Sequence, residues 1–164
     1  MLKSYKLSKK LLEVCFEKNV KLLTAESCTG GLLSANITGI AGSSSVFSYG
    51  FICYSNESKR KFLNVNENTI DKFGAVSYET VEQMLTGLCT QATSKTLAVA
   101  ISGVAGPSGS ESKPVGLVFI GAKISSCGTE KIAQLNFGNI ERHKIQQKSV
   151  HKALKISLNI LEST

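Results

Sequence analysis

What this sequence lacks removes several classes of function at once. No apolar run approaches the ~20 residues that a membrane span needs, so neither a transmembrane helix nor a membrane partner is expected. The amino-terminal stretch MLKSYKLSKK is basic but holds no uninterrupted apolar segment of the secretory kind. Five cysteines (Cys15, Cys28, Cys53, Cys89 and Cys127) form an odd, widely spaced set without a C-x-x-C pair. That pattern argues against both a disulfide framework and a zinc cluster, and most of these thiols read as small core residues. The two histidines, His143 and His151, fall in a helical stretch and read as surface positions. No metal and no cofactor is expected. A Walker-type phosphate loop is missing, as are repeats, low-complexity tracts and linkers. The expectation is one cytoplasmic domain over residues 1–164.

What is present fits a globular chain. Its 164 residues are 42% hydrophobic, and a chain of this size buries roughly 68–70% of its unfolded surface in one core. The net charge of +7 keeps anionic metabolites open as partners. The basic residues scatter over Lys3–Lys10, Lys59–Lys61 and Arg142–Lys155, without the interleaved aromatics of a base-stacking platform. Nucleic acid is therefore not the expected partner.

Periodicity divides the chain into alternating elements. Residues 6–19 read as an amphipathic helix, Lys21–Ala25 as a short buried strand, and Cys28–Thr38 as a helix. Gly39–Ser45 is a loop by its glycines and serines, and Val46–Ser55 is strand-like in its aromatic and β-branched content. Asn56 opens another helix, capped by itself or by Ser55. Asp71–Ser77 breaks the chain before a helix over Tyr78–Thr93. Thr96–Ser102 is a continuous apolar strand of the kind buried on both faces. A glycine-rich loop, Gly103–Lys113, follows. Val115–Ile124 and Glu130–Phe137 read as a hairpin around SSCG, and Glu141–Leu161 as a long terminal helix. The long amphipathic terminal helix makes a homodimer plausible. The alternation predicts a layered α/β domain with a mixed sheet.

Three special segments, Glu26–Gly31, Tyr54–Lys59 and Ser102–Gly109, each follow a predicted strand. Ligands of open α/β sheets gather at the carboxyl ends of strands, so the three are expected to share a pocket. In TAESCTGG (Thr24–Gly31), Ser27 and Cys28 stand where strand should become helix. Backbone N–H groups at a helix start lack intrahelical partners and favour anions. An N-cap serine with glycines for close packing would read the same way. Taken as a nucleophile, Ser27 needs a base. Lys59, in YSNESK, is the candidate, provided its environment favours the neutral amine, and Tyr54 is placed to relay a proton or orient it. Lys59 also fits an exposed KRK helix face, and Tyr54 a half-buried strand tyrosine. Cys28 competes with Ser27 as nucleophile. Thr29, Gly30 and Gly31 are expected to offer donors to the substrate. In the loop Ser102–Pro114, exposed N–H groups and the hydroxyls of Ser102 and Ser108 could cradle a phosphate.

The segments TAESCTGGLLSANITGIAGSSSVFSYGFICYSNESK, GAVSYETV and ISGVAGPSGSESKPVGLVFIGA, in this order and spacing, resemble the CinA C-terminal domain family. That family is also called PncC, or nicotinamide-nucleotide amidase. The resemblance implies a three-layer α/β/α sandwich with a mixed, mainly parallel sheet. It also implies hydrolysis of the carboxamide of nicotinamide mononucleotide to nicotinate mononucleotide and ammonia, a step in pyridine nucleotide recycling. By motif position Ser27 would be the nucleophile, Lys59 the general base and Tyr54 its partner, with Gly42, Ser43, Ser44, Ser102, Gly103, Gly106 and Arg142 as candidate phosphate or ribose contacts. The extra amino-terminal domain of larger family members, linked to pyrophosphatase activity, has no counterpart in these segments. The sequence departs from the family's usual Gly-Asp-Arg type segment before the last helix. Here it reads FGNIERHKIQ, so Arg142 or Lys144 would substitute. A nucleotide-binding or regulatory module without turnover, and an amidase for another small amide, are the alternative readings.

Overall fold

The computed structural model describes residues 2–110 and 113–164. The elements run α1 (Leu2–Glu17), β1 (Lys21–Glu26), α2 (Leu32–Thr38), a 3-10 turn (Ser43–Ser45), β2 (Phe47–Ile52), α3 (Asn56–Leu63), α4 (Glu67–Phe73), α5 (Tyr78–Thr90), β3 (Thr96–Gly103), β4 (Leu117–Ile124), β5 (Glu130–Asn136) and α6 (Arg142–Glu162). Five strands form one sheet in the order β2-β1-β3-β4-β5. β1 pairs parallel with both β2 and β3, and β4 pairs antiparallel with both β3 and β5. Four strands therefore run one way and β4 runs against them, giving the mixed, mainly parallel sheet.

Strand alternation explains the layers. On β3, Leu97, Val99 and Ile101 enter one core, with Leu11 and Cys15 of α1, Leu33 and Ile37 of α2, and Leu154 and Leu158 of α6. The intervening Ala98 and Ala100 enter a second core, with Leu63 of α3, Ile70 of α4, and Met84, Leu85 and Leu88 of α5. Successive strand residues point to opposite faces, so one apolar run serves both. Helices α1, α2 and α6 cover one face and α3, α4 and α5 the other: a three-layer α/β/α sandwich.

Two segments differ from expectation. Asp71–Phe73, expected as part of a break, end the short helix α4, whose cap Asn66 accepts from the Asn68 amide. The break begins at Gly74, at φ 85°. The second difference lies before α2. The helix starts at Leu32 rather than near Cys28, because Gly30 and Gly31 take the left-handed region at φ 60° and 96° and a turn occupies the preceding residues.

Parallel pairing puts the ends of β1, β2 and β3 side by side, with Glu26 opposite both Ile52 and Ile101. α3, which leaves β2 at this end, is seated by a close approach to α5. A Cβ on Gly87 would fall 2.0 Å from the Leu63 carbonyl oxygen. Gly87→Ala must push α3 away, and overpacking of this kind costs roughly 1–3 kcal/mol. Urea unfolding is expected to show a lower midpoint with an unchanged slope.

Candidate functional site

The site begins with a carboxylate. Glu26, the last residue of β1, is 0% exposed. Its side chain accepts from the amides of Gly31 (3.2 Å), Leu33 (3.0 Å) and Ser34 (2.8 Å), and from Ser34 Oγ (2.7 Å). Sequence reasoning reserved these helix-start donors for a substrate anion; the protein's own carboxylate occupies them instead. The positive end of a helix favours such a charge, and four donors replace the water that burial removes.

Ser27 follows directly. Its amide donates to the Ile101 carbonyl (3.0 Å), which extends the β1–β3 ladder by one residue and points Ser27 out of the sheet end. Its Oγ lies 3.2 Å from Lys59 Nζ, which also lies 3.0 Å from the Cys53 carbonyl oxygen. Lys59 sits in the first half of a well-capped helix: Ser55 accepts from the Ser58 amide, and the Ser58 hydroxyl reaches back to the Ser55 amide. The exposed KRK face expected here includes Lys61, whereas Lys59 is 1% exposed and turned inward. Arg60 pairs with Glu67 outside.

Tyr54 is 60% exposed, and its hydroxyl accepts from Arg142 (2.7 Å). The same guanidinium donates to the Gly106 carbonyl (2.6 Å). Arg142 thus joins the end of β2, the loop after β3 and the start of α6 around one opening. Lys144, the other candidate for that role, turns away to Glu141 (2.7 Å). The opening leads into a cleft of about 320 Å3. Ser27, Cys28, Tyr54, Lys59, Ser102, Gly103, Gly106 and Arg142 line it together. The Ser102 hydroxyl donates to the Ala75 carbonyl (2.7 Å), fixing the loop floor. Gly103 is required there, since a Cβ would fall 2.7 Å from Val118 Cγ2. Glu111 and Ser112 of the glycine-rich loop lie outside the described residues.

Other expected contacts are not brought to the cleft. Thr29 is buried, with an Oγ1 lacking a partner among the described residues. Gly30 and Gly31 shape the turn, and the Gly31 amide is bound to Glu26. Gly42, Ser43 and Ser44 lie before β2, at the amino end of the sheet. Lys21 at the start of β1 donates to the Ser45 carbonyl there (2.6 Å). In a parallel pair the loop entering a strand and the loop leaving it occupy opposite ends, so these three stand a strand length from Ser27. Sequence reasoning also gave no role to Gln146, which donates to the Cys28 carbonyl (2.8 Å) and clamps the turn from α6. A lone glutamine on a helix carries no signal of this kind.

The anion-binding groups left in the cleft are backbone ones. The amides of Ala105 and Gly106 have no backbone acceptor among the described residues, and both residues line the cleft. Burial raises the Cys28 thiol to about 12, against smaller lowering effects from Arg142 and Lys59. It is therefore a neutral thiol at physiological pH, a poor competitor for Ser27. Cys15 is likewise pushed up to about 12 and Cys53 to about 11 by burial. Cys127 is exposed, and hydrogen bonding from Thr129 lowers its pKa. Among the described residues there is no group of three or more His, Cys, Asp or Glu placed to hold a metal. No described helix is long and apolar enough to cross a membrane.

Comparison with known proteins follows this geometry. Residues 4–161 match the CinA C-terminal domain. A putative competence-damage inducible protein of Alkaliphilus oremlandii is 44% identical over 82% of this chain, and a CinA-like protein of Prochlorococcus marinus is 43% identical over 96%. The chain spans about a third of the length of these curated relatives, at 32% and 36%. The crystal structure of a competence/damage inducible protein from Agrobacterium tumefaciens superposes with a TM-score of 0.92 at 37% identity, covering 96% of this chain and 95% of that one. A CinA superfamily protein from Klebsiella pneumoniae gives 0.92 at 30% identity over 98% and 99%.

Two outcomes are expected at the site. Glu26→Ala strands three amides at the start of α2, each costing about 1–3 kcal/mol when left buried and unpaired. Denaturant melts should show a loss of at least ~3 kcal/mol. Limited alkylation at neutral pH should label Cys127 well before Cys15, Cys28 or Cys53, as read by peptide mass spectrometry.

Proposed function

This chain belongs to the CinA C-terminal domain family, and from that premise we propose that it hydrolyses the carboxamide of nicotinamide mononucleotide. The observation that supports the reading is the 3.2 Å contact between Ser27 Oγ and Lys59 Nζ in a cleft rimmed by Arg142. The fold is that of the CinA superfamily.

In this reading Lys59 acts as the general base. It takes the Ser27 proton while Oγ forms a bond to the carboxamide carbon. The resulting oxyanion is held by the amides of Ala105 and Gly106, donors of a kind worth about 3–4 kcal/mol each in other enzymes. The C–N bond then breaks, and Lys59 returns the proton to the leaving nitrogen as ammonia departs. Water attacks the remaining ester, Lys59 accepts its proton and passes it to Ser27 Oγ as the C–O bond breaks, and nicotinate mononucleotide leaves. Tyr54 serves by holding Arg142, whose guanidinium meets the phosphate, rather than as a relay from Lys59.

Ammonia release from nicotinamide mononucleotide tests the reading. Ser27→Ala and Lys59→Met should each lower kcat/KM by a factor of roughly 10²–10⁴, and Arg142→Ala should act mainly on KM. Because the base must be unprotonated, kcat/KM should rise as pH rises on the acid side of the profile. Equal rates for wild type and Ser27→Ala would sink the assignment.

A further inference from the structure

The turn that carries Ser27 closes on itself but is oriented from outside. Within it the Ser27 carbonyl accepts from the Gly30 amide (3.0 Å), and the Thr29 carbonyl from the Leu32 amide (3.0 Å). Such local bonds hold the shape of the turn and leave its direction open. Direction comes from three tethers. The Ser27 amide donates to the Ile101 carbonyl of β3 (3.0 Å), the Gly31 amide to the Glu26 carboxylate (3.2 Å), and Gln146 Nε2 of α6 to the Cys28 carbonyl (2.8 Å). The first grips the chain where it enters Ser27, the last grips it one residue beyond. A Cα–Cβ bond points where the backbone on either side directs it. Both tethers therefore bear on the place of Ser27 Oγ, 3.2 Å from Lys59 Nζ.

Gln146 reaches the turn because of how α6 is seated. Its neighbour Ile145 is 0% exposed and shares one core with Leu33 of α2 and with Cys28, which docks the helix without help from the glutamine. Four residues earlier, on the same side of the helix, Arg142 donates to the Gly106 carbonyl and the Tyr54 hydroxyl. About 6 Å of helix rise thus separates the residue that braces the rim from the residue that grips the nucleophile turn. Cys28 and Arg142 line the cleft, whereas Gln146 is not among its lining residues. Any influence of Gln146 on a reaction there passes through the Cys28 carbonyl.

We propose that Gln146 is a positioning residue: its side-chain amide fixes the Ser27 turn in the orientation from which Oγ attacks, and α6 thereby sets the spacing between that oxygen and Arg142. The proposal rests on the reading of Ser27 as nucleophile. Without the donor the Cys28 carbonyl loses its partner and the turn relaxes. A displacement of about 1 Å in a reacting group can cost on the order of 100-fold in rate. Contacts made through Arg142 are left in place, so the loss falls on kcat rather than KM.

Three variants separate the donor from the bulk of the side chain. Gln146→Met keeps the length without the donor, and should lower kcat on nicotinamide mononucleotide roughly tenfold with KM unchanged. Gln146→Arg retains N–H donors and should stay near wild type. Gln146→Glu places an anion four residues after Arg142; it should draw the guanidinium from Tyr54 and Gly106, raising KM as well as lowering kcat. A fluorophosphonate probe reads the same geometry without the nucleotide. Ser27 Oγ bonds to phosphorus, fluoride leaves with the bonding pair, and Lys59 takes the proton. The labelling rate at Ser27, followed by peptide mass spectrometry, should fall with kcat in Gln146→Met and recover in Gln146→Arg. Wild-type kcat and labelling in Gln146→Met, or equal losses in the Met and Arg variants, overturn the proposal. Labelling of the wild type without nucleotide turnover removes the amidase reading alone, and the labelling series still decides the role of Gln146. Absence of both labelling and turnover in the wild type overturns the nucleophile reading and this proposal together.

Discussion

Everything at the working end of this molecule depends on one buried carboxylate. A charge withdrawn from water needs donors of good geometry, and Glu26 finds them in three amides and a hydroxyl of α2. The helix cannot begin earlier without losing these bonds. The residues between Glu26 and Leu32 must therefore turn, with two glycines in left-handed conformations. Ser27 is thereby freed from helix capping and is fixed to β3 through its amide. The anchor also reaches the partner residue, since the Cys53 amide donates to the Glu26 carbonyl (2.8 Å) and the Cys53 carbonyl faces Lys59. Main chain and side chain of a single glutamate thus align β1, α2 and the exit of β2.

Around that anchor the site divides into a dry interior and a charged rim. Ser27 and Lys59 lie inside, among buried groups where solvent screens little. Arg142 lies outside, braced by a carbonyl and a phenol rather than by a carboxylate. Its positive charge is consequently not neutralised by those partners and remains able to attract an anion.

The architecture was legible because each layer leaves a different periodicity. β3 reads as an unbroken apolar run because both its faces are buried; α5 and α6 read from apolar stripes on one side. Ser27, Tyr54 and Ser102 could be nominated because they flank strand ends, and Arg142 because the family resemblance calls for an arginine before the last helix; the structure gathers them with Lys59 in one cleft. Other features were hidden for physical reasons. A glutamate that caps a helix from inside the protein looks in sequence like any surface glutamate. Helix α4 has seven residues, too few for periodicity to register beside a glycine break. The Gly42–Ser44 turn was assigned to the site on composition, but composition does not encode which end of the sheet a loop occupies. Strand direction decides that, and direction emerges only once the crossovers are known.

The chain order of the sheet bears on how the protein can be made. β1 is flanked on one side by β3, which begins at Thr96, so its second ladder cannot form until residues 96–103 have left the ribosome. The face under α1 and α2 waits longer still, because α6 supplies ten buried residues and follows β5 in the chain. Cleft formation therefore comes late in the synthesis of this domain, and the nascent domain must carry the uncovered apolar side of β3 and β4 until α6 has emerged. Such an intermediate is a natural client for chaperones.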